Sequence, residues 1–369
     1  MHLLRLVFMA LVFSSCLNKG GGSSDVIIEG NTTGIPDGKL YLVDARKWKT
    51  VIDSANCKSG RFIFRINTDS SFVPVAAAIH YWNKDDTIRP IRLQFRNHIL
   101  ADSLQSLRDI FFLEKGEIFI TGHQGASPHL RIEAGKETAL LFKYQHTDIG
   151  WMGYKDTAER NRKMLLLKAA ISKNPTSFFL LQSIFDAKEL YSKSELQQLL
   201  SMFNQTTKRS AAGRRFDNYM RLRPDDGAAY PRLSFFSSQG GFRSIIDTAA
   251  TLNVLVFWAS WCKPCLQEIP QLDAVYREFN NKPVRFKSIS IDTDKGAWER
   301  AVQYYRMGWP QLFVGSAEIE KVENIFNFTT IPFLVITDSR GREVARFADY
   351  DENAKEKIRA VINSKLSTP

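Results

Sequence analysis

Residues 252–265 constrain the fold more tightly than any other stretch of the chain. Residues 252–258 (LNVLVFW) form an almost continuous apolar run, and Ala259-Ser260-Trp261 leads from it into Cys262-Lys263-Pro264-Cys265. From Lys263 onward, KPCLQEIPQLDAVYREF carries apolar residues at helical spacing. A buried strand therefore delivers two cysteines to the start of a helix. The unpaired amides of a helix N-terminus stabilise an anion, which favours the thiolate of Cys262. Two intervening residues let the second sulfur reach back to the first within one turn. The expected chemistry is attack by Cys262 on a disulfide, with Cys265 resolving the mixed disulfide.

Other uses of the pair fail on local detail. A structural zinc site needs about four ligands, and no second cysteine pair exists among the four cysteines. Leu266 follows Cys265, where haem attachment requires histidine. Residues 147–369 contain no histidine, so a Cys–His hydrolase would have to borrow one from the N-terminal region. No threonine precedes the pair in the manner of a thiol peroxidase. His80, His98, His123 and His129 lack metal-ligand spacing and read as structural or surface residues. Neither a metal nor a cofactor is expected.

Around this pair, residues 225–369 alternate strand and helix. VRFKSISI, PQLFV, PFLVITD and EVARFAD read as strands, and GAWERAVQYYRM and NAKEKIRAVINSKL as helices. The alternation implies an α/β sheet with parallel pairs. Residues 135–222 read as a helical segment. One helix stops at Asn174-Pro175, a second starts at Thr176 or Ser177, a third is capped by Ser194, and a fourth covers residues 211–222. Residues 25–134 are rich in short strands such as DVIIEGNTTG, GKLYLVDA, GRFIFRIN, FVPVAAAIHYW and EIFITGH. Their pattern predicts a small antiparallel sandwich or barrel. The fold class is thus multi-domain: an N-terminal all-β sandwich or barrel, a helical middle segment and a C-terminal α/β domain. Of 369 residues, 44% are apolar and 24% charged. That balance excludes collagen-like, coiled-coil and wholly disordered chains.

The N-terminus reads as an export signal. MHLLRLVFMALVFSSC places Arg5 before an apolar run too short to span a bilayer, then small residues before Cys16. Residues 1–16 resemble a bacterial lipoprotein signal, a resemblance that implies lipidation of Cys16. Residues 17–24 (LNKGGGSS) form a flexible tether. Lipid-anchored export to the cell envelope, facing the periplasm, is the expected location.

The net charge is +11. Residues 225–369 carry 18 basic and 18 acidic residues, so the whole excess lies in residues 1–224. Its densest part, residues 136–223, interleaves Arg160, Arg162, Lys163 and Lys168 with acids at helical spacing. That is a solvated helix face, and no nucleic-acid motif accompanies it.

WASWCKPC resembles the active site of thioredoxin, and the C-terminal domain is similar to the exported TlpA/ResA-type branch of thioredoxin-like proteins. SISIDTDKGAWERAVQYY and Trp309-Pro310-Gln311 resemble the insert of that branch, and Thr330-Ile331-Pro332-Phe333 its proline before a strand. The preceding regions, with the Asn174-Pro175-Thr176-Ser177 junction, are similar to Bacteroidetes lipoproteins that carry a domain of unknown function, DUF4369. The resemblance implies a C-terminal thioredoxin-like fold and a thiol–disulfide oxidoreductase, favouring the reductase direction. It implies Cys262 as nucleophile, Cys265 as resolving thiol, and Pro332 as a cis-proline beside the disulfide. The backbone of Ile331 would pair with an extended substrate, and Trp261 would shape the surface around the cysteines. Phe333 departs from the threonine frequent after this proline. Val256 stands where thioredoxin keeps a buried aspartate. Glu268 matches a glutamate that ResA-type reductases place near the pair, and it would take the proton from Cys265. Implied partners are protein thiol or disulfide substrates and an upstream membrane thiol donor. The competing expectation is an envelope binding or scaffold lipoprotein whose N-terminal domain recognises a partner.

Overall fold

The computed structural model describes residues 26–46, 50–82, 89–99, 107–144, 149, 152–153, 156–349 and 351–367. The signal, Cys16 and the tether lie outside the described residues. The chain divides into two compact units between Lys143 and Tyr144. Among the described residues no helix is long and apolar enough to cross a membrane.

The first unit is strand-rich. Its strands are β1 (Val26–Thr33), β2 (Gly38–Asp44), β3 (Val51–Cys57), β4 (Arg61–Ile66), β5 (Val75–Tyr81), β6 (Ile91–Arg92), β7 (Phe95–Arg96), β8 (Leu107–Arg108), β9 (Phe111–Leu113), β10 (Gly116–His123) and β11 (Arg131–Glu133), followed by helix α1 (Lys136–Lys143). One sheet runs β11-β10-β1-β4 and a second β3-β2-β5-β6, with β9 also pairing β5. Alternate residues of β1 and β4 (Val26, Ile28, Phe62, Phe64) and of β2 and β5 (Leu40, Leu42, Ala77, Ile79) meet in one core. Cys57 is a buried free thiol there, and burial raises its pKa. The β3–β4 hairpin turns on Ser59 and Gly60, both with positive φ, as a two-residue turn of matching twist requires. A Cβ on Gly60 would meet the Thr32 carbonyl oxygen at 1.8 Å. The expected purely antiparallel pairing needs correction. β1 and β10 run parallel from Val26↔Gly116 to Thr33↔His123, and the long intervening chain supplies the connection a parallel pair requires.

The second unit joins the helical segment to the C-terminal sheet. Its helices are α2 (Thr157–Lys173), α3 (Phe178–Asp186), α4 (Lys193–Ser201), α5 (Gln205–Arg209) and α6 (Ala211–Leu222). Ser177 caps α3 by accepting from the Leu180 amide. Ser192, rather than Ser194, caps α4. It forms a reciprocal capping box with Glu195, the spacing a Ser-x-x-Glu sequence provides. Arg160 of α2 forks onto Glu195 at 2.6 and 2.8 Å. Part of the basic excess is thus spent joining α2 to α4.

The sheet strands are β12 (Ser234–Ser237), β13 (Phe242–Ser244), β14 (Leu252–Trp258), β15 (Val284–Ser290), β16 (Gln311–Phe313), β17 (Phe333–Asp338) and β18 (Glu343–Ala348), in the order β13-β12-β16-β15-β14-β17-β18. β14, β15 and β16 are parallel, and β17 runs antiparallel to β14. The remaining helices are α7 (Lys263–Phe279), α8 (Lys295–Tyr305), α9 (Ile319–Phe326) and α10 (Ala354–Leu366). Every residue of β14 is buried, because helices cover both sheet faces. Leu252, Val254 and Val256 pack with Leu272, Val275 and Phe279 of α7 and with Ile358 and Ile362 of α10. Leu255 and Phe257 face the opposite core, with Trp298 of α8 and Val322, Ile325 and Phe326 of α9. Phe257 lies 4.7 Å from Phe326, 5.0 Å from Phe328 and 5.8 Å from Phe333, centroid to centroid.

Phe257→Ala would empty the centre of this aromatic group and is expected to cost about 3–5 kcal/mol. Urea unfolding that shows a loss below 1 kcal/mol would contradict the packing described.

Candidate functional site

Strand β14 ends at Trp258, and a three-residue loop carries the chain to Cys262, the N-cap of α7. Cys262 and Cys265 form a disulfide. Cys262 Sγ accepts the Cys265 amide N–H at 3.2 Å, so sulfur takes the capping place usually filled by a side-chain oxygen. Lys263 and Pro264 occupy the first two helical positions, where a missing amide costs no helical hydrogen bond. Both cysteines are almost fully buried, at 4% and 3% exposure, and they pack with Trp258, Ala259 and Phe333 in the core beneath. Trp261 stands beside them at 66% exposure.

The second wall of the site is the approach to β17. The Ile331-Pro332 peptide bond is cis. Cys262 Sγ lies 3.7 Å from the Ile331 carbonyl oxygen, so residues 69 apart in sequence meet here. Asp349, at the far end of β18, fastens this segment. Its amide donates to the Pro332 carbonyl at 3.0 Å, and its carboxylate accepts from Thr330 Oγ1 at 3.2 Å. The structure therefore brings Cys262, Cys265, Ile331 and Pro332 together.

Glu268 lies one helical turn beyond Cys265 on α7 and is buried at 6% exposure. Burial, with the charge of Asp351 adding to it, pushes its carboxyl up to about 7. Val256 on β14 is buried and uncharged. At that pKa, Glu268 can hold or release a proton near neutrality.

Sequence reasoning missed Asp292. This carboxylate, 1% exposed, follows the end of β15. It accepts the Ser260 amide at 2.9 and 3.1 Å, the Ser260 hydroxyl at 2.7 Å and the Ser290 hydroxyl at 2.7 Å. Asp292 thereby fixes the loop that delivers the cysteines. The available signal was an acid closing an apolar strand, a place where a carboxylate is buried only when donors surround it. Among the described residues no group of three or more His, Cys, Asp or Glu could hold a metal ion.

Parts of the chain match known proteins. Residues 250–343 match the family model described as thioredoxin-like, and residues 26–141 match that of a domain of unknown function, DUF4369. A thiol-disulfide oxidoreductase ResA of Bacillus thuringiensis is 29% identical over 86 residues, 23% of this chain and 49% of that protein. The thioredoxin-like protein YneN of Bacillus subtilis is 25% identical over 116 residues, 31% of this chain and 67% of that protein. The chain thus spans about half the length of the ResA relative it matches. Among solved structures, a thiol-disulfide oxidoreductase from Bacteroides fragilis is 24% identical with a TM-score of 0.32, covering 36% of this chain and 99% of that one. The thioredoxin domain of a thiol-disulfide oxidoreductase from Bacteroides vulgatus is 20% identical with a TM-score of 0.35, covering 37% and 97%.

The raised pKa of Glu268 sets a pH dependence of stability. The folded carboxyl keeps its proton to about pH 7, whereas an unperturbed one titrates near 4.5. Between those values the folded state binds more protons, so stability falls as pH rises through the window, and the loss is complete above it. Glu268→Gln is expected to remove that slope. The oxidised variant should exceed wild type by roughly 1–3 kcal/mol at pH 8 and match it at pH 4. Parallel slopes in urea titrations of both proteins would contradict the buried carboxyl.

The C-terminal half of the chain thus has a thioredoxin-like fold around the Cys262–Cys265 pair, and residues 26–141 match the DUF4369 model.

Proposed function

We propose that the protein is an exported, lipid-anchored thiol–disulfide oxidoreductase that reduces protein disulfides. The observation that carries this reading is the Cys262–Cys265 pair at the N-terminus of α7, with the Ile331 carbonyl 3.7 Å from Cys262 Sγ. The names of the ResA relatives and the thioredoxin-like family match support it.

In the reduced protein, the Cys262 thiolate attacks one sulfur of a substrate disulfide. A Cys262–substrate disulfide forms and one substrate thiolate leaves. Cys265, deprotonated as it attacks, then strikes Cys262 Sγ. The Cys262–Cys265 disulfide forms and the second substrate sulfur leaves as a thiolate, which takes a proton from water. Substrate gains two electrons and the protein dithiol loses two. Amides of the first turn of α7 favour the Cys262 thiolate. Glu268, with its pKa near 7, accepts the Cys265 proton. Ile331 offers backbone for an extended substrate segment, and exposed Trp261 provides apolar contact beside it. No organic cofactor enters, because both electrons travel through sulfur.

Regeneration requires a thiol donor, which for an envelope protein is a membrane dithiol carrier. The sequence before residue 25 supports the location: an apolar run followed by Ser14-Ser15-Cys16, with Cys16 as the lipidated residue facing the periplasm.

Insulin reduction coupled to a chemical dithiol tests the reading. Wild type is expected to turn over, and Cys262→Ser to lose at least 100-fold, on the order expected for a missing nucleophile. Cys265→Ser should accumulate a mixed disulfide on Cys262, seen by intact mass. Activity retained in Cys262→Ser, or none in wild type, would contradict the assignment. Inactive wild type would favour an envelope binding protein.

A further inference from the structure

The segment that presents Ile331 to the disulfide is held from both sides. On the inner side Phe328 stacks on Phe333 at 4.9 Å and lies against Phe257. On the outer side the hold comes from the helical segment, more than 100 residues earlier in the chain. Tyr219 on α6 is fully buried, and its Oη donates to Asn327 Oδ1 at 2.5 Å. Arg223 orients that hydroxyl by donating to it at 3.0 Å. Arg223 is itself fixed by the Tyr191 carbonyl and Asp226, each at 3.0 Å. Two residues further along the segment, Thr329 Oγ1 donates to Glu189 Oε1 at 3.3 Å.

Asn327 is the point at which such a hold matters most. It ends α9 in the left-handed conformation, φ +54°, which asparagine tolerates better than other residues carrying a side chain. From it the chain runs through three residues to Ile331. A short segment that must pair its backbone with an incoming polypeptide loses affinity for every degree of freedom frozen on binding. Fixing Asn327 beforehand lowers that cost. Burial pushes the Tyr219 phenol up to about 12, so its hydroxyl remains a donor at neutral pH.

We infer that Tyr219 is a positioning residue for the redox site: through Asn327 it holds the segment that presents Ile331 beside Cys262, so that the helical segment governs how a polypeptide substrate is received. The inference rests on the reading that Ile331 backbone receives the substrate, and it assigns the helices a part in substrate selection.

The test compares Tyr219→Phe, Asn327→Gly and the double variant in the intact exported chain. Asn327→Gly permits the left-handed backbone and removes the acceptor but also frees the backbone there, so Tyr219→Phe is the variant that isolates the bond. Two substrates separate positioning from chemistry: insulin, and the small aromatic disulfide dithiobis(nitrobenzoate), which needs no backbone pairing. Both single variants should lower kcat/KM for insulin by roughly three- to tenfold, chiefly through KM. The rate with the aromatic disulfide should stay within about twofold. The double variant should be no worse than Asn327→Gly alone, because the bond that Tyr219→Phe removes is already lost there. Amide exchange at residues 328–331 should speed up in each variant. Equal losses with both substrates that track the melting temperature, or additive losses in the double variant, would overturn the inference. Should wild type fail on insulin, the functional reading fails, and amide exchange still decides: unchanged rates at residues 328–331 overturn the hold by Tyr219.

Discussion

A helix leaves its first amides without partners, and in α7 one of those amides meets Cys262 Sγ at 3.2 Å. Capping by sulfur places the reactive atom in the most positive part of the helix field, where a thiolate is favoured. Everything around it serves to keep that placement. β14 drives the chain into the sheet with both faces covered. Asp292 fixes the connecting loop through Ser260. The bond between Cys262 and Cys265 spans one turn of helix.

The site has two walls from distant stretches of chain, and different forces hold each. Buried hydrophobic packing and one buried carboxylate hold the cysteine loop. The segment before β17 depends on aromatic stacking inside and on hydrogen bonds from Asp349 and Tyr219 outside. The difference suits the proposed tasks, since a thiolate needs the helix amides held fixed against it and a segment proposed to pair with substrate needs its backbone edge held in register. Glu268 sits between these demands. Its burial costs stability above neutral pH, and in the proposed mechanism the same burial would make it a proton acceptor of matched strength.

Local sequence carried the cysteine site well. A continuous apolar strand, a Cys-x-x-Cys pair and a helical period occupy adjacent residues, so β14 and α7 could be read directly, whereas Glu268 stood out only through the resemblance to ResA-type reductases. Features made by distant residues were not legible. The parallel pairing of β1 with β10 joins segments 90 residues apart, and β3 hides behind Asp53, Ser54 and Asn56, poor strand formers. Ser192 and Ser194 are equally good caps by type; only the reciprocal bond with Glu195 separates them. Asp292 and Tyr219 look ordinary in sequence, because their roles depend on partners 32 and 108 residues away.

The reduction potential of the Cys262–Cys265 pair tests the central claim most directly. Equilibration of the purified protein with defined thiol/disulfide buffers, read by alkylation of free cysteines, measures it. The account predicts a value near the thioredoxin end of the range, about −270 mV, as a reductase of protein disulfides requires. A value near −120 mV, that of a strong oxidant, would contradict it and make the same residues a disulfide-introducing site.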